Sequence, residues 1–331
     1  MKRRDLLRFG MATAALAALS GAAPSPGQGK YPERPIRLVV PFAPGGETDM
    51  VGRKWADKVS AHLGQTIVVD NRPGAGGAVG TAEVARAQPD GYTLLTGTTT
   101  THVINPLVTS NPTYDPLKDF VPIAILTTVP TSIVVHPSVP AKNLQELVAL
   151  VKANPGKFSY GSAGMGSVTN LTGELFKLRA GGLQMVHVPY KGAGPGLQDL
   201  VGGHIPIFTP ILSATPLAHH RAGKVRILAV CSEKRVGSVP DVPTATEAGV
   251  PGMVVPVFNA IFAPAKTPRP IISRLHDATM KAMADEALQN DLRNAGGEPV
   301  TDSNPEKAAR FIAAEIGRWP PIVKATGLKM E

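Results

Sequence analysis

Twice in this chain a β-rich apolar segment runs into a glycine turn and then into a stretch of helical period: IRLVVPFAPGGETD at residues 36–49 and FSYGSAGMGSVTN at residues 158–170. A strand without alternation, such as Ile36 to Phe42, must be covered on both faces. A helix returning over the sheet supplies that cover, and Val51, Trp55 and Val59 in Thr48 to Leu63 recur at helical spacing. The same alternation continues along the chain. Strands are expected at Thr66 to Val69, Tyr92 to Thr96, Ile133 to Val135, Phe158 to Tyr160, Val186 to Val188 and Val225 to Val230. Helices are expected near Thr81 to Ala87, at Leu144 to Ala153, after Ser167, from Pro270 to Arg293 and from Pro305 to about Val323. This order predicts an α/β protein with mainly parallel sheets.

In such sheets ligands bind beyond the carboxyl ends of the strands. A helix starting there presents unpaired N–H groups and a partial positive charge, and glycines let an anion approach the backbone. Thr48, Ser162 and Ser167 add hydroxyl donors. Either loop alone reads better as a tight turn with a Ser/Thr cap. Two matching loops point instead to a pair of cradles gripping one anionic group.

The N-terminus, MKRRDLLRFG followed by MATAALAALSGAA, has a basic head, a short apolar stretch and small residues, the layout of an export signal over residues 1–23. Its apolar run, Met11 to Leu19, is far short of the roughly 20 residues a spanning helix needs. Arg3 and Arg4 ahead of Leu6 and Leu7 resemble a twin-arginine signal, with an ordinary secretory signal as the alternative. Removing this segment takes away four cations and one anion, so formal charge falls from +9 to +6. The remaining charges are scattered and aromatics make up only 5% of the chain. Nucleic-acid binding, which needs a basic stripe with stacking aromatics, is therefore not expected. The single Cys231 excludes an internal disulfide and a thiolate-rich metal site, and its apolar setting, VRILAVC, reads as a buried thiol.

Catalytic motifs are missing. GSAGMGS does not place a serine as a nucleophile elbow requires, and GAGGAV lacks the last glycine of a dinucleotide fingerprint. Tyr31, Phe158 and Val225 follow the Gly-Lys pairs where a phosphate loop needs Ser or Thr. His219 and His220 are adjacent and point apart on a helix. His187, within MVHVPY, reads as a core or hinge residue. No catalytic residue, metal or cofactor is expected.

Eight segments then carry a family resemblance in order: YPERPIRLVVPFAPGGETDMVGR, VVDNRPGAGGAVGTAEVARAQPDGYTLL, YDPLKDFVPIAIL, ANPGKFSYGSAGMGS, VHVPYKGAGPGLQDLVGGH, AGKVRILAV, PDVPTATEAGVPG and FAPAKTP. Together they resemble the Bug-type family, the extracytoplasmic solute receptors of tripartite tricarboxylate transporters. The resemblance implies a type II periplasmic-binding-protein fold, with two α/β lobes closing on a ligand about a hinge. By analogy lobe one comprises residues 30–125 with 236–331, and lobe two residues 126–235. It further implies a periplasmic monomer, its signal cleaved, with no enzymatic activity, which hands a small carboxylate to a membrane permease. The same fold also serves receptors that signal to a sensor kinase. An exported α/β hydrolase would be supported by a nucleophile–base pair within hydrogen-bond reach in the cleft.

Carried onto this chain, the family's carboxylate site falls on Phe42, Ala43, Gly46, Thr48 and Asp49 of lobe one and on Ser162, Ala163, Gly164 and Ser167 of lobe two. Thr98 and Thr99 are further wall residues. Asp49 is expected to cap the helix or order a water rather than touch an anion. Two departures stand out. Where many relatives carry an amine-binding aspartate near GHIPIFTP, this chain has Thr209 and Pro210. Where many have Trp-x-Gly before FAP, it has Phe258 and Ala260. The first favours a di- or tricarboxylate or an aromatic acid over an amino acid.

Overall fold

A computed structural model describes residues 31–329 apart from Ala295, and the export segment lies outside these residues. The chain opens with β1 (Ile36–Val40), α1 (Glu47–Leu63), β2 (Ile67–Asn71), α2 (Ala78–Ala85), β3 (Thr93–Thr98), a π-turn (Thr100–Ile104) leading into α3 (Asn105–Val108), and β4 (Phe120–Val135). It continues with α4 (Leu144–Ala153), β5 (Phe158–Ser162), α5 (Val168–Arg179), β6 (Met185–Pro189), α6 (Ala193–Val201), β7 (Ile207–Phe208), α7 (Ala214–Arg221) and β8 (Arg226–Cys231). It closes with β9 (Pro256–Pro264), α8 (Arg269–Met283), α9 (Glu286–Asn294), β10 (Glu298–Pro299), α10 (Pro305–Arg318) and α11 (Pro320–Thr326).

The strand order is β2-β1-β3-β9-β4-β7-β5-β6, with β8 and β10 also paired to β4. β4 is the shared member. Phe120 to Pro130 pair with β9, whereas Thr131 to Val135 pair with β8 and its end with β7. The chain reads as an α/β protein, yet the expectation of mainly parallel sheets is corrected. β1 pairs parallel with β2 and β3, and β5 with β6 and β7. β4 and β9, the long strands that tie the halves together, make only antiparallel pairs with their neighbours. Sequence periodicity marked only the last three residues of β4, because Pro122, Thr127, Thr128, Pro130 and Thr131 interrupt its apolar run.

The segment between β8 and β9 stays beside β8. Val255 N–H donates to the Cys231 carbonyl at 2.9 Å, Thr244 bridges Val230, and Gly249 lies against Gln145 of α4. The 236–255 stretch, assigned to lobe one by analogy, therefore runs along the β4–β7–β5–β6 half. The helical expectation for Pro270 to Arg293 is met by two helices, because Asp285 accepts from Ala287 N–H at 2.8 Å and starts α9 afresh. Pro320 likewise ends α10 and opens α11, its missing N–H costing nothing at a first helical position.

α1 shows how packing holds the first half. Val51, Trp55 and Val59 are buried, and Trp55 Nε1 donates to Thr279 Oγ1 of α8 at 3.2 Å. These side chains belong to a core with Leu38 and Leu94 on one sheet face. A second, larger core covers the opposite face and runs on through the β5–β6–β7 half. The start of α1 is thereby set over the ends of β1 and β3, and the start of α5 over the end of β5.

Candidate functional site

The two glycine loops face each other, together with two further glycine turns, 74–77 after β2 and 190–194 after β6. Ala43 N–H donates to the Lys191 carbonyl at 3.1 Å, and Val168 N–H to Thr100 Oγ1 at 3.1 Å. Glycines make this approach possible. A Cβ on Gly194 would lie 2.3 Å from the Pro44 carbonyl oxygen, one on Gly76 2.4 Å from the Met165 carbonyl oxygen, and one on Gly192 2.8 Å from Ala43 N. The cleft is closed. Phe42, Gly46, Glu47, Thr48, Asp49 and Thr100 line what remains of it, facing Ala163, Thr169, Ala193 and Ile211. A crevice of about 200 Å³ continues between Gly74–Gly77 and Ala163–Met165.

The two cradles differ. On the first, Gly46 is the N-cap of α1 and no side chain caps the helix. Its first-turn N–H groups are thus left for solvent or a ligand. Asp49 does not point at them. It accepts from Gly45 N–H at 3.0 Å, from Arg53 Nε at 3.0 Å and from Asn71 Nδ2 at 2.9 Å, and Asn71 also donates to the Phe42 carbonyl. Its charge fastens the turn around Gly45, whose φ is 86°.

On the second, the donors are occupied internally. Ala163 N–H goes to Thr169 Oγ1, Gly164 N–H to Ser162 Oγ and Gly166 N–H to Asn170 Oδ1. Ser167 caps α5 by accepting from Asn170 N–H at 3.1 Å, and its own hydroxyl donates to the Gly164 carbonyl at 2.7 Å. The Thr98 and Thr99 hydroxyls are also engaged internally, accepting from Thr100 N–H and Phe258 N–H. It is Thr100, placed by the π-turn after β3, that reaches the cleft. Thr209 donates to the Thr169 carbonyl at 2.7 Å and so is a structural residue at the position where an amine-binding aspartate was sought.

Ser162 Oγ lies 2.7 Å from His187 Nε2, the nucleophile–base distance named above. It does not form a catalytic set. Ser162 is fully buried and already holds Gly164 N–H. The other His187 nitrogen faces the Asn170 amide nitrogen at 3.4 Å, with no carboxylate to orient it. Burial pushes the imidazole down to about 4, so it is neutral and shares a hydrogen bond with the serine hydroxyl, which also reaches the Gly164 carbonyl. The pair stacks with Tyr160 and stiffens the turn. Cys231 is buried and burial pushes its thiol up to about 12. No cluster of three or more His, Cys, Asp or Glu suited to a metal occurs among the described residues.

Glu47 was not singled out by sequence, because an acidic residue in a first helical turn reads as an ordinary partner of the helix dipole. It is buried, with only 5% of its surface exposed. One carboxylate oxygen accepts from Asn259 Nδ2 at 2.8 Å, and the other has no partner. Burial pushes its carboxyl up to about 7, against the smaller lowering effect of Asn259.

Residues 51–328 match the model of the tripartite tricarboxylate transporter family receptor. Among solved structures, the periplasmic binding protein BugD is 36% identical with a TM-score of 0.87, over 91% of this chain and 100% of its own. MatC from Rhodopseudomonas palustris, with bound malate, is 34% identical with a TM-score of 0.85, over 88% and 100%. Rpa4515 from R. palustris, with adipate, is 35% identical with a TM-score of 0.86, over 90% and 99%. The α/β architecture with two halves about a cleft is that of these periplasmic binding proteins, and the chain belongs to the tripartite tricarboxylate transporter receptor family, a family of solute-binding receptors and not of enzymes.

Proposed function

We propose that this receptor captures a small di- or tricarboxylate, or an aromatic acid, in the periplasm and delivers it to the permease of a tripartite tricarboxylate transporter. The observation that carries the reading is the uncapped start of α1 in a closed cleft. Open N–H groups and a helix N-terminus favour a carboxylate there. The malate and adipate held by two neighbours of the same fold support that ligand class.

The residues proposed to meet the ligand are Phe42, Ala43, Gly46 and Thr48 on one side and Ala163 and Gly164 on the other. Asp49, Ser162 and Ser167 shape the turns, and Thr98 and Thr99 support the wall behind Thr100. The lobes exchange at 130–131 and 255–256, where β4 changes partners and the chain returns. Export by cleavage of the N-terminal signal completes the proposal.

A thermal-shift screen of the mature chain against mono-, di- and tricarboxylates, aromatic acids and amino acids tests it, since a ligand binding only the folded state raises Tm. A shift with carboxylic acids is expected. A shift with amino acids alone would overturn the ligand class.

A further inference from the structure

Two buried oxygen atoms lie without hydrogen-bond partners on neighbouring side chains, one carboxylate oxygen of Glu47 at the start of α1 and the amide oxygen of Asn259. Asn259, on β9, already donates to the other Glu47 oxygen at 2.8 Å and to Thr127 Oγ1 of β4 at 3.2 Å. Glu47 also lines the cleft cavity beside Thr48 and opposite Thr169. A buried carboxyl oxygen with no donor costs stability, and such atoms commonly mark a place completed by something that binds.

The cations around it are committed elsewhere. On α1, Arg53 is paired with Asp49 at 3.0 Å. Arg72, beside the 74–77 turn, is paired with Asp70, Lys191 is exposed on the facing turn, and His102, buried after β3, is held neutral by that burial. To Glu47, β4 and β9 bring Thr127 and Asn259, neither of which titrates. Among the described residues, no cation pairs with Glu47.

We propose that Glu47 is a specificity-determining residue that donates a hydrogen bond, in its protonated form, to the far carboxylate of a dicarboxylic acid whose near carboxylate rests on the open start of α1. This rests on the carboxylate-receptor reading and narrows it to one ligand class. Ammonium and hydroxyl ligands would instead call on an ionised Glu47. A second carboxylate brought beside Glu47 keeps it protonated, since two adjacent like charges disfavour ionisation of both. The hydrogen bond formed is of the strong, charge-assisted kind. Burial, which raises the carboxyl to about 7, makes the protonated form available at neutral pH.

Calorimetry with malonate, succinate, glutarate and adipate, each beside a monocarboxylate of matched length, tests this across pH 6 to 8.5. For the preferred dicarboxylate, affinity is expected to fall about tenfold per unit above pH 7, while the monocarboxylates stay flat. Glu47→Gln, whose amide N–H donates at every pH, is expected to bind dicarboxylates without pH dependence and more tightly than wild type at pH 8.5. Wild type measured in two buffers of different ionisation enthalpy should take up a proton on binding, and this readout needs no variant. Dicarboxylate affinity that is flat or rises with pH, or Glu47→Gln weakening mono- and dicarboxylates alike, overturns the role of Glu47 and leaves the receptor reading standing. Failure of every carboxylic acid to bind overturns both.

Discussion

Gly194 offers the cleanest separation of closing from folding. It sits in the first turn of α6, and a Cβ there would stand 2.3 Å from the Pro44 carbonyl oxygen across the cleft. That oxygen is backbone and cannot swing aside, so the two turns must part by roughly 1 Å, an overpacking strain of about 1–3 kcal/mol. The strain exists only in the closed state. Gly194→Ala is thus expected to raise Kd for a bound carboxylate by about 5- to 150-fold. The same substitution adds helix propensity within α6, worth about 0.5–1 kcal/mol, so Tm without ligand is expected to rise by about 1–3 °C. Isothermal calorimetry and a melting curve on one preparation give both numbers, and small-angle scattering should report a more open particle. Normal affinity in the variant would refute the claim that this contact belongs to the binding-competent state. A drop in both affinity and Tm would mean that the contact supports the fold itself.

Three further perturbations test the turns and the buried carboxyl. Asp49→Ala strips the acceptor from Gly45 N–H, Arg53 and Asn71, and urea unfolding is expected to show a loss of about 1–3 kcal/mol; an unchanged midpoint would deny Asp49 its fastening role. Ser162→Ala leaves His187 Nε2 and Gly164 N–H without their partner, with a similar expected loss and no change in background ester hydrolysis, whereas a fall in hydrolysis would revive the catalytic reading. Glu47 is raised from 4.5 to about 7 in the folded chain, so the folded state binds more protons across that window. Its contribution is fully present below about 4.5 and is lost as pH rises through 7. Glu47→Gln should therefore gain stability over wild type as pH rises, by on the order of 3 kcal/mol, and parallel pH–stability curves would show that Glu47 carries no such strain.

The strand–turn–helix units were legible because each relied on local signals. Leu144 to Ala153 is the expected helix, opened by Asn143 accepting from Glu146 N–H at 2.8 Å, and both glycine loops lie where the turn chemistry put them. What periodicity missed depends on partners distant in sequence. β9 and the first part of β4 are buried against each other and carry prolines and threonines that break any pattern. Within the run Thr98 to Thr101, only the π-turn decides that Thr100 faces the cleft. Glu47 had no local signal at all, because its interest lies in Asn259, more than two hundred positions away. The twofold likeness of the glycine loops was legible, but their different hydrogen bonding was not.

That difference bears on how the cleft works. The Ser162–Ser167 turn has placed its N–H groups on side chains of its own half, so it arrives at the cleft already rigid. The α1 turn keeps its donors open and adds a carboxyl with a free oxygen. In the proposed reading, a ligand is first held by the α1 side, where the electrostatic attraction resides. The second half then contributes shape: Ala163, Ala193 and Ile211 exclude water and leave little lateral room. Excluding water strengthens each hydrogen bond made by the α1 turn. Affinity and closure are then coupled through the glycine contacts, because any side chain that keeps the turns apart also leaves the carboxylate wet. Discrimination between acids of different length would arise from how far Glu47 stands from the open N–H groups, rather than from any residue of the rigid turn.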